Sequence, residues 1–322
     1  MSPLSNCDFA FECAILSGMP LFSIIIAVFN DWRALEACLD SLLEQKDGPD
    51  FEVIVVDDGS LQPAPEAIKQ RARRLRLTIE RVSHTGISAA RNHGIRISTG
   101  STLLCVDADC RLQKGCLAAL SEAIAASPED NYFQLRLVGD CSRLVGKTEH
   151  LRLTTLQSQL LEVGGRIRYL NTAGFAIRRA AVRVETGLFD PGAIRGEDTL
   201  LLANLIERGD LPLFVADAIV QHEVPLSFAK CLLKDMRSAF LEGATYAQIA
   251  SRGIQIRMSH RERLNMLACM WETSRLPAVG RWACFGLIVR QSLSRITSVV
   301  YRLLHPRAGS HSTKATAVKG SL

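Results

Sequence analysis

Asp107-Ala108-Asp109 places two carboxylates one residue apart, where the apolar run Thr102 to Val106 gives out. Hard divalent cations take oxygen ligands, and Mg²⁺ or Mn²⁺ commonly divides its coordination between one or two protein carboxylates and substrate phosphates. Two further acidic clusters accompany this one. Asp57-Asp58-Gly59-Ser60 follows the apolar run Val53 to Val56, and Gly196-Glu197-Asp198 opens a helical pattern. Each has a plainer reading: a capped turn, an Asx-type turn and an acidic first helical turn respectively. Two of them, however, stand where strands run out, and open α/β sheets bind their ligands outside the carboxyl ends of strands.

Read as chemistry, a carboxylate of Asp57-Asp58 can accept a hydrogen bond from a nucleobase N–H or from ribose hydroxyls. Asp107 and Asp109 would hold a cation that bridges two phosphates and stabilises a departing diphosphate. Glu197-Asp198 lies at a helix N-terminus, which favours the ionised carboxylate. A low pKa suits a base that takes its proton late in a displacement. His84, His93, His150 and His222 are isolated histidines. His222, just after the apolar segment Leu213 to Val220, could reach the metal from the sheet's edge. Arg91, in Ala89-Ala90-Arg91-Asn92-His93-Gly94, could pair with the Asp of a neighbouring strand end, the favoured reading, or with phosphate.

Positioning these groups requires a scaffold, and the pattern supplies one. Leu21 to Phe29 is a continuous Ile- and Val-rich run, as expected of a strand buried on both faces. Asn30-Asp31 can cap the segment in which Leu35, Cys38, Leu39, Leu42 and Leu43 recur at helical spacing, and Phe51 to Val56 is a second buried strand. Shorter strands are expected at Leu77 to Ile79, Thr102 to Val106, Tyr132 to Val138, Thr172 to Ile177 and Leu213 to Val220. Helices are expected at Glu66 to Leu75, Ser88 to Ile97, around Leu117 to Ile124, at Leu151 to Leu161 and at Asp198 to Arg208. Such alternation predicts an α/β sandwich with a mostly parallel sheet. Beyond Pro225 only helices are expected: Phe228 to Ile249, Leu264 to Trp271 and Trp282 to Leu304.

The 322 residues suffice for one large domain with an appendage, and 48% hydrophobic with 22% charged is a globular composition. The net charge of +5 conceals an asymmetry: residues 1–220 hold 23 Lys and Arg against 28 Asp and Glu, residues 221–322 hold 15 against 5. A basic tail suits an anionic surface, lipid before nucleic acid, since no aromatic-interleaved platform accompanies it. In the last helix Arg281, Arg290, Arg295 and Arg302 alternate with Trp282, Phe285, Leu287, Ile288, Ile296, Val299 and Val300, a pattern that fits packing on the domain or an interfacial helix. Ten cysteines without a CxxC pair are expected as reduced thiols of a cytoplasmic protein. No apolar run reaches transmembrane length. We expect an N-terminal extension (1–20), a catalytic domain (21–225), a basic helical extension (226–305) and a disordered tail (306–322).

Taken in order, Phe22-Ser23-Ile24-Ile25-Ile26-Ala27-Val28-Phe29-Asn30, Val55-Val56-Asp57-Asp58-Gly59-Ser60, Gly86-Ile87-Ser88-Ala89-Ala90-Arg91-Asn92-His93-Gly94, Val106-Asp107-Ala108-Asp109, and Thr186-Gly187-Leu188-Phe189-Asp190 followed by Gly196-Glu197-Asp198 resemble the family 2 glycosyltransferases. The resemblance covers residues 21 to 225. It implies a GT-A fold and an inverting transfer of sugar from a nucleotide diphosphate donor, usually a UDP-sugar, to a hydroxyl of a glycan or lipid-linked acceptor. It further implies that Ala27, Phe29 and Asn30 line the nucleotide, with Arg91 among the residues around it. Asp58 would read the base with Asp57 in support. Asp109 would be the main ligand of Mg²⁺ or Mn²⁺, with Asp107 contacting ribose or metal and His222 joining the metal. Asp198 would be the base, with Glu197 beside it toward the acceptor. Ala27 stands near the place of a usual Pro, and Asn204 replaces a common Arg. Two rivals remain: a sugar nucleotidyltransferase, for which Asn30-Asp31-Trp32-Arg33 offers no Gly-rich phosphate loop, and a catalytically degenerate glycan- or membrane-binding domain. A peripheral place at the inner face of a membrane would follow from lipid-linked acceptors.

Overall fold

The computed structural model describes residues 20–304 except 47, 184, 194, 224–226, 257 and 274–277, so nearly all of the expected N-terminal extension and the whole 306–322 tail lie outside the described residues. Eight strands form one sheet in the order β3-β2-β1-β4-β7-β6-β8-β5. They are β1 (Phe22–Val28), β2 (Phe51–Asp57), β3 (Leu77–Arg81), β4 (Thr102–Asp107), β5 (Cys110–Leu112), β6 (Tyr132–Gly139), β7 (Phe175–Arg178) and β8 (Leu213–His222). The pairings β1–β2, β1–β4, β2–β3 and β6–β8 are parallel. Those of β4 with β7, β6 with β7 and β5 with β8 are antiparallel. The sheet is mostly parallel, as expected, with β7 and β5 as its antiparallel strands.

The continuous apolar runs arise because helices cover both faces. Ile24 and Ile26 of β1 face one core with Leu35 and Leu39 of α1 (Trp32–Leu43). Ile25 faces the other with Ile95 of α3 (Ile87–Ile97), which follows the short α2 (Glu66–Arg71). All three isoleucines are fully buried, each worth about 1.5–3 kcal/mol relative to exposure. α4 (Cys116–Ala126) and α5 (Leu144–Leu160) join the first layer through Leu117, Leu120 and Leu153. α6 (Glu197–Arg208) joins the second through Leu201, Leu202 and Leu205. Gly94 of α3 is fixed by close approach, since a Cβ there would lie 2.6 Å from Ile25 Cγ2.

The expected helix Phe228 to Ile249 is two, α7 (Phe228–Leu241) and α8 (Gly243–Ser251), meeting at Glu242. They are followed by α9 (His260–Thr273) and α10 (Ala278–Leu304). α10 packs on the domain: Leu287 and Cys284 bury against Leu151 of α5 and Met266 of α9. Its outward side leaves Trp282, Phe285, Ile288, Ile296, Val299 and Leu303 exposed. Among the described residues no helix is long and apolar enough to cross a membrane. Every cysteine side chain described is a free thiol, and all but Cys141 are buried, as small hydrophobes.

Candidate active site

Strand register assembles the acidic clusters. Ala27 pairs with both Val56 and Asp107, and Val28 with Asp57, so β2, β1 and β4 end in one row. Asp57 Oδ1 accepts from the Ser60 amide at 2.8 Å and closes the turn after β2. Asn30 braces the same turn: its amide donates to Ser60 Oγ at 2.8 Å, and its Oδ1 accepts from Leu61 N at 2.7 Å. Asp58 is seated in the loop after β3, accepting from Thr85 N at 2.9 Å and Gly86 N at 3.1 Å. That loop also presents His84, whose ring stacks on Phe29 with centroids 4.3 Å apart, while its Nδ1 lies 2.9 Å from Asp58 Oδ2. As one isolated histidine among several, His84 carried no signal in the sequence. Its partner Phe29 stays 46% exposed and offers a flat apolar edge beside a carboxylate.

Arg91 is the junction of the site. It is 1% exposed, and its fork donates from Nη2 to Asp107 Oδ1 and from Nη1 to Glu197 Oε1, both at 2.6 Å. Its guanidinium carbon sits 5.6 Å from the centre of the Phe189 ring. Burial alone would lower the Arg91 pKa, but Asp107 and Glu197 outweigh it and hold the group charged. Asn92, the next residue, staples the chain that leads to α6. Its Nδ2 donates to Phe189 O at 2.7 Å, and its Oδ1 accepts from Leu188 N and Phe189 N at 2.9 and 3.0 Å. Gly187 (φ 77°) passes so close that a Cβ would lie 2.6 Å from the Asn92 amide.

Asp198 lies in the first turn of α6 beside Glu197, and its Oδ1 accepts from Thr199 N at 2.6 Å. The helix terminus was expected to keep this carboxylate strongly acidic. Instead burial, and next the neighbouring Glu197 charge, push it up to about 6. A third carboxylate stands close by: Glu242, at the α7–α8 junction, is pushed up to about 7 by burial and by Asp198. Thr245 of α8 donates to Arg195 O at 2.6 Å and fixes the loop that delivers Gly196. Glu242 and Thr245 come from the helical extension, where no motif announced them. Asn204, at the place of a common Arg, accepts from Arg252 Nη2 at 2.8 Å and so ties α8 to α6.

The metal-ligating candidates lie at the far end of the row. β5, too short to leave a periodic signal, pairs Cys110 with His222 of β8. That pairing sets His222 Nε2 3.3 Å from Asp109 Oδ2. Donor atoms of Asp109, Cys110 and His222 fall within 4.8 Å of one another. Burial, then the Asp109 and Asp107 charges, raise the Cys110 thiol well above its usual range, so it stays protonated and is a poor ligand for a hard cation. The fitting donors are one carboxylate and one imidazole, leaving coordination positions for phosphate oxygens, a set suited to Mn²⁺ or Mg²⁺. Burial would raise the Asp109 carboxyl, but His222 and Lys234 hold it below its ordinary value. Asp107 is not in this group; its Oδ1 faces Arg91. His93 and His150 are not among these donors: His93 Nε2 and His150 Nδ1 are buried without a hydrogen-bond partner. A cavity of about 700 Å³ lined by Glu129, Asp130, Glu162 and Arg166 opens at the opposite end, before β6 and β8 begin.

The Arg91 junction generates a stability prediction. Arg91→Met should destabilise the fold by about 3–5 kcal/mol in urea unfolding, because it strands two carboxylates beside a buried apolar side chain. A loss below about 1 kcal/mol, the range of an exposed ion pair, would remove Arg91 from this role.

The sequence profile described as "Glycosyl transferase family 2" matches residues 23–184. A "PGL/p-HBAD biosynthesis glycosyltransferase" of Mycobacterium tuberculosis (strain ATCC 25177 / H37Ra) is 41% identical over 92 residues, 28% of this chain and 36% of that protein. The "Uncharacterized glycosyltransferase EpsJ" of Bacillus subtilis is 34% identical over 122 residues, 38% of this chain and 33% of that protein. These matches span about a third of the relatives' length. Among solved structures, S. aureus TarS 1-349 superposes with a TM-score of 0.52 at 17% identity, covering 88% of this chain and 91% of that one. The mannosyltransferase PcManGT from Pyrobaculum calidifontis, in complex with GDP-Man and Mn²⁺, gives 0.53 at 17% identity, covering 91% of this chain and 76% of that one. The profile runs from β1 through the Arg91 helix and the Asp107–Asp109 turn to β7, and these superpositions share the sheet that carries them: the chain belongs to glycosyltransferase family 2, enzymes of GT-A fold.

Proposed function

We propose that this protein is an inverting glycosyltransferase that moves a hexose-type sugar from a UDP-sugar to a hydroxyl of a glycan or lipid-linked acceptor, in cell-surface polysaccharide or glycolipid synthesis. The observation that carries this reading is the Arg91 bridge, which ties the end of β4 to the start of α6 and so sets a donor-side carboxylate against a candidate base. Phe29 and His84 receive the base on their stacked edge. Asp58 accepts its N–H through lone pairs left free by the loop amides. TarS has been captured with UDP and with UDP-GlcNAc, and PcManGT with GDP-Man, which sets the donors to test first.

Asp109 and His222 would hold Mg²⁺ or Mn²⁺, with Asp107 alongside. The bound ion supplies Lewis-acid stabilisation of the leaving diphosphate. Asp198 accepts the acceptor's hydroxyl proton as that oxygen bonds to the anomeric carbon and the bond to the diphosphate oxygen breaks, with inversion. A carboxylate titrating near 6 is a better base at neutral pH than one near 4, and burial, seconded by the adjacent Glu197 charge, is what keeps it so. Glu197 itself stays anchored on Arg91, facing the acceptor. The acceptor's place at a membrane is suggested by α10, whose outward apolar stripe is accompanied by exposed Arg281 and Arg295 on the basic part of the chain. We place the enzyme on the cytoplasmic, anionic face of that membrane.

Asp198→Asn should lower kcat by about 10²–10⁴-fold with donor affinity retained, and the wild-type rate should fall with acid as Asp198 protonates near pH 6. Unchanged turnover in this variant would remove Asp198 as base. Melting temperatures measured with UDP-, GDP- and dTDP-sugars should rise with a UDP-sugar in Mn²⁺ and not in chelator; stabilisation indifferent to chelator counts against the metal. Sedimentation with phosphatidylglycerol vesicles should be lost in Trp282→Asp/Phe285→Asp, and wild type that stays in solution would exclude the membrane surface.

A further inference from the structure

The metal-side histidine does not stand alone. Behind His222, on the side away from Asp109, its Nδ1 lies 3.7 Å from Glu149 Oε1, an electrostatic contact longer than a hydrogen bond. Glu149 is 4% exposed and belongs to α5, a helix whose inner face also buries Thr148, Thr155 and Gln157. Two arginines hold it. Arg152, one turn along α5, reaches Oε1 at 2.6 Å and Oε2 at 3.1 Å. Arg290 reaches Oε2 at 3.4 Å from the middle of α10, nearly seventy residues beyond His222 in the chain. Arg290 is itself 4% exposed and clamped, donating to Thr148 Oγ1 at 2.8 Å and to Asp235 of α7 from Nε at 2.6 Å and Nη2 at 3.2 Å. An unbroken line of side chains therefore runs Asp109, His222, Glu149, Arg290, Asp235, from the edge of the sheet into the helical extension.

Burying an arginine and a glutamate is costly, and hydrophobic residues of similar volume would pack the same space without that cost. The pair makes physical sense where a charge is needed at a fixed place. A metal-bound imidazole commonly has its other ring nitrogen held by a carboxylate, which fixes the ring orientation and raises its basicity as a ligand. Glu149 occupies that position behind His222, and Arg152 from its own helix and Arg290 from α10 together keep Glu149 from turning away. We propose that Glu149 is a positioning residue for the metal site and that Arg290 makes the docked C-terminal helices part of it, by holding His222 with Nε2 turned toward Asp109. The inference rests on the metal reading given above, because His222 must be a ligand for its orientation to matter.

The test is Mn²⁺ binding to the full chain without donor, measured by electron paramagnetic resonance, with the modulation from coordinated imidazole nitrogen as a second signal. Glu149→Gln should weaken Mn²⁺ by about tenfold or more and diminish the nitrogen signal. Arg290→Lys, which keeps the charge but loses the fork, should shift both in the same direction. Leu287→Ala loosens α10 at a buried apolar contact without touching the line; it should lower the melting temperature and leave Mn²⁺ affinity as it was. Unchanged affinity and nitrogen signal in folded Glu149→Gln or Arg290→Lys overturns the inference; each variant decides alone if the other does not fold. An equal loss in Leu287→Ala overturns it too, because general loosening would then account for the effect. His222→Ala separates this outcome from failure of the metal reading. If His222→Ala loses Mn²⁺ while Glu149→Gln keeps it, the ligand stands and the positioning role falls. If wild type binds no Mn²⁺, both fall.

Discussion

A single buried cation governs the geometry of the sheet's carboxyl edge. Arg91 has left water almost entirely, and only two carboxylates placed at hydrogen-bond distance can offset that cost. Because one of them ends β4 and the other begins α6, the requirement acts as a distance restraint between segments ninety residues apart in sequence. Asn92, on the next position of the same helix, applies a second restraint to the chain entering α6. The tight passage of Gly187 follows from that one. Asp198 is thus fixed with reference to the end of β4 by electrostatics and not by direct contact between them.

The same Arg91 bridge divides labour among chemically similar carboxylates. Asp107 and Glu197 share the one guanidinium charge, each through a hydrogen-bonded ion pair. Asp198, one residue further, is taken out of water without a cationic partner in contact and with an anion beside it, so burial first and the Glu197 charge next raise its proton affinity. Glu242, facing the same spot from the helical extension, rises for the same reason. Two adjacent acids with opposite environments are what a proton-accepting site requires.

The helical extension is also an internal part of the molecule. Its α10 buries Leu287 and Arg290 inward while exposing an apolar stripe outward, so packing and surface contact, which compete in a reading of the sequence, are two faces of one helix. The inward face reaches α5, the helix least legible beforehand. Its buried side interleaves Thr148, Glu149, Thr155 and Gln157 with Val145, Leu151, Leu153 and Leu160. Gln157 fastens it to β6 by accepting from Leu137 N and donating to Leu137 O. Polar groups on the buried side dilute the hydrophobic period, so only the second half of this helix, from Leu151, was legible.

What was legible in the chain was local. The buried strands β1, β2 and β4 declared themselves because burial on both faces demands unbroken apolar runs, and the acidic clusters at their ends declared themselves by standing where those runs stop. Order and spacing of these motifs were enough to indicate the family and the α/β class. The sequence could not show which distant groups would meet. That Phe29 meets His84, that Arg91 spans from Asp107 to Glu197, that a three-residue β5 delivers Asp109 to His222, and that Arg290 stands behind Glu149 are consequences of strand order, register and helix docking. Each is a contact between segments far apart in the chain. Such contacts are chosen by the cost of leaving a buried charge or polar group unpaired, and that cost exists only once the tertiary structure has excluded water.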